Sequence, residues 1–106
     1  LIIATGARPL RVSQFGVKGD DMKGVFYLRE EHEAAALVQA MEGLVGGAGK
    51  AVIVGGGYIG LECAAALVGW GVDTTMVFPE ANCMPRLFNA ELGKWLEDDY
   101  TARGVK

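Results

Sequence analysis

A cluster of glycines at residues 55–60 is the part of this sequence with the clearest chemical meaning. Gly55, Gly57 and Gly60 have the spacing G-x-G-x-x-G, with an apolar run before them and a helix-like run after them. Glu80 follows twenty residues beyond Gly60. This layout is typical of a βαβ unit that binds a dinucleotide. The amides that open such a helix lie at the positive end of its dipole and can hold a pyrophosphate.

Each glycine of the motif has a mechanical reason to be glycine. Gly55 is predicted to let the chain turn tightly off a strand. Gly57 has no side chain, so a pyrophosphate could lie against its backbone, and Gly60 would let the new helix pack closely on the sheet. The alternative is a glycine turn with a purely structural role.

Two charged residues after the motif could read the nucleotide. Glu80 is predicted to accept hydrogen bonds from the adenosine ribose hydroxyls and to repel a 2′-phosphate, which favours NAD over NADP. The alternative for Glu80 is a solvated loop acid. Arg86 is close enough in sequence to touch the ribose or the phosphates, but its position alone does not distinguish it from a solvated arginine.

Tyr58 and Glu62, next to the glycines, each allow two interpretations. Tyr58 is either a packing residue or a residue over the nicotinamide pocket, and Glu62 either stabilises the start of the helix or contacts the cofactor. Nothing in the chain resembles a Ser/His/Asp set or a cysteine with its base. We therefore predict no catalytic side chain, and the chemistry must come mainly from a cofactor.

The predicted elements that would position these residues alternate between strands and helices. A parallel sheet of the Rossmann type, and hence an α/β fold, is the arrangement that this order favours. Residues 10–24 look like a connector, residues 43–49 like a glycine-rich link, and residues 104–106 like the start of another strand. Strands are predicted at residues 1–5, 25–28, 51–54 and 74–78, and helices at residues 31–41, 58–68 and 90–103.

Composition limits the function classes further. The 106 residues are 51% hydrophobic with a net charge of −3, and no basic stripe suggests nucleic acid as a partner. No apolar run is long enough to cross a membrane. Cys63 is predicted to be a buried, inert thiol, Cys83 is undecided, and we expect neither a disulfide nor a metal site. His32 lies among acids and is predicted to be solvated.

Two segments together resemble the flavoproteins that bind two dinucleotides. They are LIIATGARP at residues 1–9 and VGGGYIGLE at residues 54–62. The resemblance implies that the first segment closes part of an FAD-binding domain and that the second opens an NAD(P)H-binding domain. We therefore expect an internal fragment, with residues 1–14 in the FAD domain and residues 15–106 in an incomplete NAD(H) domain.

A finer resemblance is to the monodehydroascorbate reductase family of plants and algae, through FYLRE at residues 26–30, MVFPE at 76–80 and CMPRLF at 83–88. It implies an FAD enzyme that takes a hydride from NADH and passes single electrons to two ascorbyl radicals. An NADH-dependent ferredoxin or rubredoxin reductase is an alternative. A non-catalytic, NAD-sensing flavoprotein of the apoptosis-inducing type is another.

The resemblance also assigns residues to the two cofactors. Tyr58 matches an aromatic residue that covers the flavin face until nicotinamide arrives.

The first glycine motif and the C-terminal interface domain are absent, so we expect this fragment neither to hold FAD tightly nor to turn over. With both natural ends missing, we expect a cytoplasmic location, and a peroxisome or another organelle is the alternative.

The NAD residues that the resemblance implies are Gly56, Gly57, Tyr58, Ile59, Gly60, Leu61, Glu62, Glu80 and Arg86. The FAD residues that it implies are Thr5, Gly6 and Arg29.

Overall fold

A computed structural model describes residues 1–46 and 49–106, which divide into two compact units, residues 1–40 and 41–106. The predicted α/β class with a parallel sheet is confirmed. Gly47, part of the predicted link, lies outside the described residues. The regular elements are a 3-10 helix at Val12–Phe15, α1 at Glu31–Glu42, β1 at Lys50–Val54, α2 at Tyr58–Gly69, β2 at Asp73–Val77 and α3 at Ala90–Ala102.

The unit of residues 41–106 is built on a βαβ crossover. β1 and β2 pair in parallel, in register from Lys50 opposite Asp73 to Val54 opposite Val77, and α2 connects them. The chain returns to β2 at its end, where the Lys106 amide donates to the Thr74 carbonyl at 3.0 Å. The Met76 amide in turn donates to the Lys106 carbonyl at 2.7 Å. Lys106 therefore pairs with β2 in the parallel sense, but the amides of Gly104 and Val105 bond back to α3, so the predicted start of a strand is limited to this one residue.

One face of α2 supplies the core of this unit. Leu61, Ala64 and Leu67 are buried at helical spacing, whereas the alternate β1 residues Val52 and Val54 are exposed on the other face of the sheet. Fully burying a residue such as Leu61 is worth about 1.5–3 kcal/mol. The cluster around Leu61, Cys83 and Met84 also includes Met76, Phe78, Phe88, Leu96 and Tyr100.

Helix α3 begins with a side-chain cap. The Asn89 carboxamide accepts a hydrogen bond from the Leu92 amide at 2.9 Å, which satisfies one of the free donors of the first turn. Glu91 adds an acid near the positive end of the helix dipole. The helix therefore starts where the sequence predicted it.

The unit of residues 1–40 differs from the sequence prediction, because the strands at residues 1–5 and 25–28 are wrong. Both segments lack regular secondary structure, and residues 1–5 are exposed. An apolar run forms a strand only when another strand pairs with its amides and carbonyls, and no part of the described chain pairs with either segment. Residues 25–28 are held instead by the Tyr27 hydroxyl, which accepts from the Val12 amide at 2.9 Å.

Candidate functional site

The glycine turn between β1 and α2 has the geometry that a dinucleotide cradle needs. Gly55 turns the chain off β1 with a φ of +121°, a conformation that L side chains rarely adopt. A Cβ on Gly60 would overlap the Gly55 carbonyl oxygen and lie 3.4 Å from Ile53 Cγ2. Glycine at both positions therefore lets α2 start tight against β1.

The start of α2 presents amides without acceptors. The first hydrogen bond of the helix runs from the Leu61 amide to the Gly57 carbonyl at 3.0 Å. The three preceding amides, those of Tyr58, Ile59 and Gly60, have no acceptor within residues 1–46 or 49–106. A Cβ on Gly57 would meet nothing within 4 Å, so there is open space beside these donors. The turn can therefore accommodate a phosphate group and donate hydrogen bonds to it.

The other predicted residues of this turn differ in how open they are. Tyr58 and Ile59 are exposed, at 61% and 56%, and Glu62 is exposed as well. Leu61 is 7% exposed and packs in the core, while its amide is used within the helix. The side chain of Leu61 therefore holds α2 in place from below the turn, and its contact with a nucleotide stays a prediction.

The loop that connects β2 to α3, residues 78–89, lies against the glycine turn. A Cβ on Gly56 would be 2.9 Å from the Phe78 ring, so the loop begins in close contact with the turn. The Met84 amide then donates to the Gly56 carbonyl at 2.8 Å. Glu80 and Arg86 are both exposed on this loop. The structure thus brings the loop that carries them to the cradle, although they lie some twenty residues farther along the chain.

Three residues that support this loop were not predicted from the sequence. Met84 has a φ of +54°, a left-handed conformation that costs a non-glycine residue about 1–3 kcal/mol. Gly93 is buried in α3, and the Glu97 carboxylate accepts from the Cys83 amide at 2.6 Å. A glycine inside a helix was a usable signal of close packing. Nothing in the sequence distinguishes Glu97 from the other acids of α3 or predicts the backbone of Met84.

A separate cavity in the unit of residues 1–40 gathers the residues assigned to FAD. Thr5, Gly6 and Arg29 line a space of about 390 Å³, and the Arg29 guanidinium donates through Nε to the Ala7 carbonyl at 3.3 Å. Arg29 is more than twenty positions from Thr5 and Gly6 in the sequence. The structure brings them together, while their contact with FAD stays a prediction.

Glu33 holds the backbone behind this arginine. Its carboxylate accepts from the amides of Arg29 and Glu30, at 2.8 and 2.9 Å, and so caps the start of α1. The hydrogen bond from the Glu30 amide is the main reason that the pKa of Glu33 lies below its usual value. Proton uptake by Glu33 would therefore weaken the cap.

The two cysteines have environments that oppose nucleophilic chemistry. Cys83 is 1% exposed, and burial raises the pKa of its thiol, with the nearby Glu97 carboxylate adding to the shift. Cys63 is only half-buried, less than predicted, and burial likewise raises its pKa. Thiolate, the reactive form, is disfavoured at both positions. His32 is exposed in α1, as predicted.

No helix in the described residues has the length and apolarity to span a bilayer.

Comparison with known proteins gives one family and consistent relatives. The family model described as pyridine nucleotide-disulphide oxidoreductase matches residues 1–106. The protein named monodehydroascorbate reductase 1, peroxisomal, from Arabidopsis thaliana is 56% identical over 106 residues, which cover the whole chain and 24% of that protein. Matched relatives carry both "peroxisomal" and "cytosolic" in their names.

Solved structures give the same fold. An NAD-dependent persulfide reductase from A. fulgidus is 29% identical with a TM-score of 0.85, covering 96% of this chain and 18% of that one. A ferredoxin reductase from Rhodopseudomonas palustris is 28% identical with a TM-score of 0.75, covering 82% of this chain and 20% of that one.

Proposed function

Because the chain belongs to the pyridine nucleotide-disulphide oxidoreductase family, we propose that its protein is an FAD-dependent NADH oxidoreductase that reduces the monodehydroascorbate radical to ascorbate. The observation that carries the proposal is the 56% identity to an Arabidopsis monodehydroascorbate reductase over the whole chain. The chain spans about a quarter of the length of the curated relatives it matches. In this proposal it supplies most of the NADH site and a small part of the FAD site.

The glycine turn and the β2–α3 loop would hold NADH from two sides. The free amides at the start of α2 face open space at Gly57, which suits the pyrophosphate. Glu80 would accept from the adenosine ribose hydroxyls, and Arg86 would add positive charge near the phosphates. Tyr58, being exposed beside the turn, would contact the nicotinamide end. These residues bind and orient the nucleotide without acting as acid, base or nucleophile.

The second cofactor would be held partly by the cavity in residues 1–40, through Thr5, Gly6 and Arg29. FAD supplies the capacity to take two electrons together from a hydride and to release them one at a time. The balance is complete with one proton from solvent, because one NADH then gives NAD⁺ and reduces two radicals to two ascorbates. The role of this chain is to place the hydride donor.

The direct test is to express the full-length protein and follow NADH oxidation while ascorbate oxidase generates the radical from ascorbate. We expect NADH oxidation to require the protein, ascorbate and ascorbate oxidase together. A matched reaction without ascorbate oxidase measures the background with oxygen. An NADH oxidation rate that does not rise when the radical is generated would refute the proposal.

A second candidate is an NADH-dependent reductase of ferredoxin or rubredoxin. The observation that favours it is the likeness to the Rhodopseudomonas palustris ferredoxin reductase. The same assay with a small iron–sulfur protein in place of the radical distinguishes the two. A non-catalytic NAD sensor would show negligible steady-state turnover with either acceptor.

For cellular location we propose the cytoplasm or the peroxisome, since the names of matched relatives include both. Imaging of the full-length protein tests this, with a fluorescent reporter fused to the N-terminus in one experiment and to the C-terminus in another. A signal confined to another organelle would contradict it.

A further inference from the structure

The part of the β2–α3 loop that carries Glu80 has little support of its own. No backbone amide or carbonyl of residues 79–82 forms a hydrogen bond with any residue that the structure describes. The segment is held where it ends, at Cys83, whose amide donates to the Glu97 carboxylate at 2.6 Å. The next amide, that of Met84, donates to the Gly56 carbonyl at 2.8 Å. These two consecutive hydrogen bonds tie the segment to α3 and to the glycine turn.

The side of α3 that faces this loop is formed by Gly93 and Glu97, one helical turn apart. A Cβ on Gly93 would lie 3.0 Å from Asn82 Cβ and 3.1 Å from the Cys83 carbonyl oxygen, so a larger residue at this position would push the loop away by a few tenths of an ångström. The Cys83 thiol is 3.6 Å from the Gly93 carbonyl oxygen. The Glu97 carboxylate is thereby within reach of the Cys83 amide.

Glu97 is used differently from its neighbouring acids in α3. Asp98 pairs with Lys94 at 2.8 Å on the exposed surface of α3, and the half-buried Asp99 pairs with Arg103 at 2.9 Å within the same helix. Glu97 is half-buried and accepts from a loop amide. A hydrogen bond to a charged acceptor is about twice as strong as a neutral one, so this contact can set the position of the loop.

We propose that Glu97 is a positioning residue for the nicotinamide nucleotide, acting through the loop that carries Glu80. By fixing the Cys83 amide, it holds Glu80 at a set place beside the glycine turn and so controls both the affinity for NADH and the preference over NADPH. This inference rests on the proposed function of the site. It adds a residue that does not touch the nucleotide.

The test uses the full-length holoenzyme with ferricyanide as electron acceptor, and compares Glu97→Ala with Asp98→Ala. Both variants remove one negative charge from α3, but only the first removes a loop contact. For Glu97→Ala we expect the KM for NADH to rise about tenfold, the size of one lost charge-assisted hydrogen bond. The kcat at saturating NADH should stay within about twofold, and the preference for NADH over NADPH should fall, because Glu80 then repels a 2′-phosphate from a less defined position. Asp98→Ala should resemble wild type.

Two further variants separate positioning from mere stability. Glu97→Gln keeps an oxygen acceptor, so it should shift the KM for NADH and the nucleotide preference in the same direction as Glu97→Ala but by less. It also provides the test if Glu97→Ala fails to fold. In a Glu80→Gln background, removal of the Glu97 carboxylate should change the nucleotide preference no further. A Glu97 variant that unfolds at lower temperature but keeps the KM and preference of Asp98→Ala would overturn the proposal. Ferricyanide accepts electrons whatever the natural acceptor, so this result is independent of the radical assay.

Discussion

Replacing Gly60 with alanine should force α2 away from β1. The added methyl group would overlap the Gly55 carbonyl oxygen, well inside the 3.0 Å below which Cβ contacts essentially do not occur. It would also lie 3.4 Å from Ile53 Cγ2, so it would contact a side chain of β1 as well as the backbone. Overpacking of this kind costs about 1–3 kcal/mol, and because the obstacle is backbone we expect about 3 kcal/mol.

The same substitution at two other glycines provides matched controls. Gly69 is the last residue of α2, and a Cβ there would meet nothing within 4 Å. Gly69→Ala should therefore be neutral or stabilise the helix by up to about 1 kcal/mol. Gly57→Ala should cost at most about 1 kcal/mol as a poorer helix cap, but it would put a methyl group where we place the pyrophosphate. We expect it to weaken NADH binding by at least about tenfold.

The assay is the thermal midpoint of the full-length protein together with NADH titration of each variant. Gly60→Ala should lower the midpoint by about 6–12 °C, because each kcal/mol shifts the midpoint by roughly 2–4 °C in a domain of about 150–250 residues. Gly69→Ala should leave both measurements close to wild type, and Gly57→Ala should change binding far more than stability. A Gly60→Ala midpoint within about 1 °C of wild type would refute the close-packing argument. Unchanged NADH affinity in Gly57→Ala would refute the phosphate assignment.

Three other predictions are open to simple measurement. Glu80→Gln should reduce the preference for NADH over NADPH in steady-state kinetics, because the repulsion of a 2′-phosphate is removed; an unchanged ratio would mean that Glu80 does not read the ribose. Cys83 should react with iodoacetamide more slowly than Cys63 in the native protein and equally fast after denaturation, as followed by peptide mass spectrometry, because it is 1% exposed and burial raises its pKa; equal native rates would contradict its burial. The lowered pKa of Glu33 means that its stabilising effect is present above its ordinary pKa and is lost as the pH falls through the lowered value. Glu33→Gln should therefore unfold at a lower temperature than wild type at pH 7, with a gap that narrows as the pH falls below the ordinary pKa of a glutamate, and a gap independent of pH would contradict the charged cap.

The part of the fold that follows local rules was predictable from the sequence. The glycine spacing at residues 55–60 fixed the end of β1 and the start of α2, because the roles of Gly55 and Gly60 depend only on backbone sterics. The helices α1 and α3 also begin within a residue of their predicted starts, where acids and caps mark the first turn. Patterns that carry their own cause within a few residues were therefore sufficient.

What local sequence patterns did not predict concerns contacts between distant parts of the chain. The apolar runs at residues 1–5 and 25–28 have strand composition, but a strand also needs a partner, which composition does not reveal. In the candidate site, the support of the β2–α3 loop by Glu97 was invisible, because three other acids lie in the same helix. The gathering of Thr5 and Arg29 around one cavity came only from family resemblance, and the structure supplied the geometry.

The attachment of the β2–α3 loop has a consequence for how nucleotide choice could evolve or be redesigned. The loop and the glycine turn contribute only main-chain atoms to the hydrogen bonds that hold the loop in place. These atoms are the Gly56 carbonyl and the amides of Cys83 and Met84. Exposed side chains between and beyond these points, at Glu80 and Arg86, can change without disturbing the anchors, and surface changes of this kind usually cost within about 0.5 kcal/mol. If Glu80 and Arg86 read the nucleotide as we propose, replacing them would change nucleotide selectivity while the main-chain atoms that hold the loop stay in place.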